Sequence, residues 1–153
     1  MTSTPIRRLL DFPNLFIKCR RIVGGVAHGQ PLVTEQPINF LTMIDPSTGT
    51  VQDYSHELYG RSLNARVLVF PNAVGSSVGA YILYSLKMKG LAPLAVICMK
   101  RTDTITASAC AISDIPAVDI REQQSALISL TRSEGTEVIV DADSCYIKVI
   151  KRN

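Results

Sequence analysis

Apolar residues in this chain fall into short runs separated by Gly, Pro, Asn and Asp, and the spacing within the runs changes along the sequence. Residues 15–23 have strand composition and end at Gly24-Gly25, where the backbone needs freedom for a sharp turn or a close approach. Residues 31–44 read as extended chain, with Pro37 implying a bulge, an edge or a break. Asp45-Pro46-Ser47-Thr48-Gly49 has turn chemistry: proline presets one corner, Asp45 can bond the backbone ahead, and Gly49 closes it. Residues 51–53 then start another extended piece.

The clearest signal lies in the middle. Residues 67–70 form an unbroken apolar run of the kind buried on both faces of a sheet, and Pro71-Asn72 ends it. Val78, Tyr81, Ile82, Ser85 and Leu86 then recur at three- and four-residue spacing, which predicts a helix over 77–89. Gly90 closes it, with Lys87 and Lys89 in the last turn. A second apolar run at 94–99 completes a βαβ unit with two parallel strands. Downstream, 103–112 predicts a short helix with Asp103 as a cap, 115–120 a third strand, and 121–131 either helix or loop. Residues 137–150 read as a hairpin turning at Ala142-Asp143. The class is α/β, with a partly parallel sheet and a C-terminal hairpin. The expected organisation is an arm over 1–14 and a single domain over 15–153.

Composition narrows the function. At 153 residues the chain is large enough for a real core. Its 46% hydrophobic content and mean hydropathy of +0.19 are high for a free-standing domain and point to a surface that a partner covers or to a compact core. The formal charge is only +3 and the basic residues are scattered, which argues against nucleic-acid binding. Cys19, Cys98, Cys110 and Cys145 are too widely spaced for a zinc or iron–sulfur motif; Cys98 and Cys110 read as buried small hydrophobes. With neither a signal peptide nor an apolar stretch long enough to span a bilayer, the expected setting is the cytoplasm.

Candidate chemistry gathers at the start of the central helix. Gly75-Ser76-Ser77 sits where unpaired N–H groups and the positive end of the helix dipole favour an anion or a developing oxyanion. A capping serine explains the same pair by local structure alone. Loops at the carboxyl ends of parallel strands are where open α/β sheets bind ligands, which puts 72–77 and Lys100-Arg101 on one edge. Lys100 and Arg101 are candidates for gripping an acidic substrate group, and equally for a solvated pair or a salt bridge to a partner. His28, beside glycines, admits a phosphocarrier reading as well as an ordinary loop role, and His56 reads as a loop histidine.

Phe70-Pro71-Asn72-Ala73-Val74-Gly75-Ser76-Ser77-Val78-Gly79-Ala80-Tyr81 resembles the serine loop of the small, swivelling domain of the aconitase X family. In the same order come Gly24-Gly25-Val26-Ala27-His28-Gly29, Pro37-Ile38-Asn39-Phe40 running to Asp45-Pro46-Ser47-Thr48-Gly49, His56-Glu57-Leu58-Tyr59-Gly60, and Gly90-Leu91-Ala92-Pro93. The ordered set spans about residues 15–120 and is far more specific than any member alone.

The resemblance implies the β/β/α swivelling fold that aconitases carry as a mobile fourth domain. It also implies a hydro-lyase active only with a large subunit, which holds the iron–sulfur cluster and most substrate contacts. This chain's share would be a serine alkoxide that removes a proton from carbon next to a carboxylate. Aligning the turn puts that base on Ser76, with Gly75 and Ser77 shaping the loop or bonding the substrate; a cation near the substrate would come from Lys100, Arg101 or the large subunit, and no metal ligand is expected on this chain. Ser77 stays open as the alternative base. Serine is a poor base at neutral pH, so N–H groups and nearby cations must stabilise its ionised form. Ordinary aconitases place an Arg after the two serines; Val78 stands here, which keeps the aconitase X pattern and sets the aconitase reaction aside. Within the family the implied substrate is mevalonate 5-phosphate, dehydrated on the archaeal route to isoprenoids. The alternatives are cis-3-hydroxy-L-proline and, in another class, a non-catalytic carrier module.

Overall fold

The computed structural model describes residues 14–151; the expected arm over 1–14 lies outside them except for Asn14, which opens the first strand. In chain order the elements are β1 (Asn14–Lys18), β2 (Arg20–Val23), β3 (Val26–Val33), α1 (Phe40–Met43) and β4 (Arg66–Phe70). A 3₁₀ turn (Ser77–Gly79) leads into α2 (Ala80–Met88), followed by β5 (Ala95–Cys98), α3 (Thr104–Ser113) and β6 (Ala117–Asp119). The described chain closes with α4 (Gln124–Thr131), β7 (Thr136–Asp141) and β8 (Tyr146–Lys151).

Strand order is β1-β8-β7-β3-β4-β5-β6-β2. Strands β3, β4, β5 and β6 run parallel, while β1, β8 and β7 are antiparallel, as is β2 against β6. Strand β3 belongs to both halves: Val26–Gly29 pair with β7, and Gln30–Val33 pair with β4. The single strand expected over 15–23 is two strands broken at Cys19, because the chain passes there from one end of the sheet order to the other. The two halves therefore stack face to face.

Alternation along the central strands fixes the layers. Leu68 and Phe70 of β4, with Val96 and Cys98 of β5, pack with Leu83, Leu86, Ala109 and Cys110 of the helices. Val67, Val69, Ala95 and Ile97 point the other way and pack with Val138, Val140, Ile147 and Val149. Both faces of the parallel layer are covered, which explains why its strands read as continuous apolar runs. The result is a β/β/α stack. Each fully buried Val, Leu, Ile or Phe in it contributes about 1.5–3 kcal/mol.

Two further expectations change, and one open alternative is decided. Residues 31–44 are not one extended piece: β3 stops at Val33, and α1 makes a single turn. The Asn39 side chain accepts from Thr42 N at 3.3 Å, and Phe40 is buried with its ring 5.9 Å from that of Phe70. That local cap and aromatic contact outweigh the strand-like composition. His28 is not in a loop but in β3, opposite Ile139. Residues 121–131 resolve as helix α4. The turn at 45–49 forms as read, with Gly49 N donating to Asp45 O at 2.8 Å and Ser47 N to Asp45 Oδ1 at 2.9 Å. Among the described residues no helix is long and apolar enough to cross a membrane.

Candidate active site

The serine loop leaves the carboxyl end of β4, and Lys100-Arg101 leaves that of its parallel neighbour β5, where Phe70 and Cys98 are in register. Both loops thus open on one edge of the sheet, as the βαβ pattern requires.

The serine loop is held from both sides. On one side the segment after β3 runs beside it: Ile38 N donates to Asn72 O at 3.2 Å, and Val74 N to Ile38 O at 3.0 Å. Gly75 has φ +90, and a Cβ there would lie 2.3 Å from Asn39 Nδ2. Both the dihedral and the contact require glycine. On the other side, Asp103 Oδ1 accepts Ala73 N at 2.9 Å, while its Oδ2 accepts Thr106 N at 2.9 Å and caps α3.

Ser76 is extended (φ −71, ψ 144), and its Oγ accepts Val78 N at 3.2 Å as the 3₁₀ turn begins. The capping reading is therefore true of Ser76, and it does not compete with a chemical role. A hydroxyl oxygen that accepts an N–H keeps its own proton free to leave, and the N–H stabilises the charge left behind. Ser77 is exposed, and its hydroxyl has no hydrogen-bond partner among the described residues. The backbone N–H groups of Gly75, Ser76 and Ser77 likewise make no hydrogen bond within the described chain.

Lys100 and Arg101 are exposed and their side chains have no partner among the described residues. Their loop is pinned just beyond them. The buried Asp119 at the end of β6 accepts Thr102 N and Thr102 Oγ1, each at 2.8 Å, and pairs with Arg20 at 3.0 and 2.6 Å. Burial pushes the Asp119 carboxyl up, but the hydrogen bonds from Arg20 and Thr102 outweigh it and leave its pKa below the usual value.

The histidines lie elsewhere. His56 is 6% exposed, with Nδ1 accepting Leu58 N at 3.1 Å and Nε2 facing Pro37 O at 3.2 Å. It braces the loop after β3 and is not a solvated loop residue. His28 Nε2 lies 2.8 Å from Glu137 Oε2 on the adjacent strand, away from the serine loop.

Among the described residues the donor chemistry does not fit an iron–sulfur cluster. Burial pushes the Cys19 and Cys98 thiols up to about 12 and raises Cys110 as well, which disfavours the thiolate form that a cluster needs. No group of three His, Cys, Asp or Glu among the described residues is arranged to hold a metal. A cavity of about 510 Å³ beside the site is lined by Arg20 and Asp119 but reaches neither the serine loop nor Lys100-Arg101, and residues 74–78 of the serine loop stand exposed. Val74, Val78 and Tyr81 around it are 37%, 51% and 65% exposed, an apolar rim unusual for a surface facing only water.

Asn39, Asp103 and Asp119 are the residues of the site that sequence reading missed. Asn39 was inside a quoted motif and Asp103 was read only as a cap. Besides the local caps to Thr42 and Thr106, what their side chains touch lies 17 or more residues away: Gly75, Ala73, Thr102 and Arg20.

A β/β/α stack that offers a glycine-framed serine at the carboxyl edge of its parallel strands is the architecture of an aconitase-type swivelling domain. The model of one family, the aconitase X swivel domain, matches residues 16–149. This chain belongs to that family. It is 48% identical to the phosphomevalonate dehydratase small subunit of Methanothrix thermoacetophila over 82% of this chain and 88% of that one. It is 43% identical to the protein of the same name from Methanosarcina acetivorans, over 88% and 91%. The crystal structure of Thermococcus kodakaraensis aconitase X in its holo-form superposes with a TM-score of 0.78 at 38% identity, covering 90% of this chain and 99% of that one.

Proposed function

We propose that this chain is the small subunit of a hydro-lyase that removes water from mevalonate 5-phosphate to give trans-anhydromevalonate 5-phosphate, with Ser76 as the base. Residues 15–153 act as one swivelling domain that closes on a large subunit. The observation that carries the reading is the setting of Ser76 Oγ, an exposed hydroxyl that accepts the Val78 N–H at 3.2 Å beside three uncommitted backbone N–H groups. The names of relatives at 43–48% identity supply the substrate.

In the proposed reaction a C–H bond on the carbon next to the carboxylate breaks, and its proton passes to Ser76 Oγ. The electron pair forms the carbon–carbon double bond, the hydroxyl on the adjacent carbon takes up a proton from solvent and departs as water, and Ser76 Oγ releases the proton it gained to solvent, so that the net loss is one water. Val78 N–H and the positive end of the turn stabilise the serine alkoxide that starts the cycle. Ser77 lacks such a donor to its oxygen, which favours Ser76 of the two. Lys100 and Arg101 offer unpaired positive charge on the same edge for the substrate's carboxylate or phosphate. The iron–sulfur cluster is assigned to the large subunit, and no step here passes through it. The apolar rim of Val74, Val78 and Tyr81 supports a partner closing over the loop.

The test is anaerobic co-expression with the large subunit, offering mevalonate 5-phosphate and cis-3-hydroxyproline separately. Turnover of the phosphate is expected, and Ser76→Ala should reduce it by at least about a thousandfold with assembly and cluster content unchanged. Turnover of the proline alone would move the substrate. Full activity in Ser76→Ala would remove the serine from the chemistry.

A further inference from the structure

The serine loop is gripped between the caps of two helices. Asn39, which caps α1, presses its amide against Gly75; Asp103, which caps α3, holds Ala73. A helix cap needs one acceptor, and a serine, threonine or asparagine supplies it as well as an aspartate does. Asp103 uses both oxygens. Oδ2 serves the cap through Thr106 N, while Oδ1 takes the Ala73 N–H at 2.9 Å and the Thr106 hydroxyl at 2.8 Å. Ala73 is 4% exposed, so its N–H has little access to water if that acceptor is lost. Asp103 itself is kept in place from below, because its neighbour Thr102 is bonded through both N and Oγ1 to Asp119, which Arg20 holds. One rigid line of bonds therefore runs from β2 through the ends of β6 and β5 to the base of the serine loop, three residues before Ser76.

We propose that Asp103 is a positioning residue: its second carboxylate oxygen fixes where Ser76 stands relative to the Lys100-Arg101 loop. The inference rests on the reading of Ser76 as the base. A misplacement of about 1 Å at a reacting group costs on the order of a hundredfold in rate, so a loop set by one bond needs that bond to be stiff.

Asp103→Ser separates the two jobs. Serine keeps the acceptor for Thr106 N but is too short to reach Ala73 N. In the assembled enzyme, kcat should fall roughly ten- to a hundredfold with KM for mevalonate 5-phosphate nearly unchanged. In the small chain alone, amide exchange at Ala73 should quicken at least about tenfold while amides within α3 keep their protection. Asp103→Asn, which keeps one acceptor oxygen for the three donors that the carboxylate serves, should fall between Asp103→Ser and the native protein in both readings. It carries the same test if the serine variant does not fold. Native kcat in Asp103→Ser, or unchanged Ala73 exchange, would overturn the proposal. If the native complex fails to dehydrate mevalonate 5-phosphate, the functional reading fails separately, and the exchange experiment still decides whether Asp103 holds the loop.

Discussion

The hairpin β7–β8 and the carboxyl edge of β4 and β5 are built by opposite means. The hairpin is a ladder of six paired residues, Thr136↔Lys151 to Asp141↔Tyr146, whose burial alternates along the strand. Its neighbours in space are neighbours in sequence, and backbone bonds define it. The serine edge is tied by side chains: Arg20 to Asp119, Asp119 to Thr102, Asp103 to Ala73 and Asn39 against Gly75. The partners in each of the first three ties lie 99, 17 and 30 positions apart. The comparison teaches that the antiparallel layer stabilises the domain, whereas the edge holds a few atoms in place. Stability and activity should therefore separate by mutation.

The largest expected effect on stability is in the antiparallel layer. Ile147 is fully buried in the core between the sheets, and Ile147→Ala should cost about 2–5 kcal/mol in denaturant unfolding. Turnover per folded complex should stay as in the native protein; a large fall in kcat would break the comparison. At the edge, Gly75→Ala should cost less, about 1–3 kcal/mol for an alanine at φ +90 against Asn39. It should nevertheless lower kcat on the order of a hundredfold by moving the loop. Stability loss without loss of rate would show that the loop tolerates displacement.

The smallest effect appears only in acid. The Asp119 pKa is held below its ordinary value, so its contribution is fully present above the unfolded-chain pKa of about 3.9 and is lost as pH falls through the lower folded value. Native protein and Asp119→Asn should differ in unfolding midpoint near pH 6 and converge towards pH 2. A constant difference across that range would mean that Asp119 acts by shape and not by charge.

Residues 67–70, 77–89 and 94–99 were legible because each obeys one period over several residues, and the sheet edge followed from their order. The Gly75-Ser76-Ser77 turn was legible as a helix start because its residue types matched an ordered family pattern, and the structure has Ser76 capping the 3₁₀ turn. His28 was misread because Gly29 beside it and Gly24-Gly25 before it look like a loop. In the fold Gly29 is small for another reason: a Cβ there would lie 2.7 Å from Leu94 Cδ1. Residues 31–44 were misread because the signal that starts α1 was a single capping residue, Asn39. Its effect depends on Phe40 finding Phe70.

The sequence by itself determined the βαβ unit, the terminal hairpin, the buried cysteines and the serine turn, since each depends on periodicity or residue type within about a dozen positions. Only the tertiary structure decided that the strand over 15–23 breaks at Cys19, that β3 serves both halves of the sheet, and that Asp103 and Asp119 lock the two loops of the site together. Those outcomes depend on which distant backbone groups meet, and a hydrogen bond across 17 to 99 residues leaves no local pattern to read.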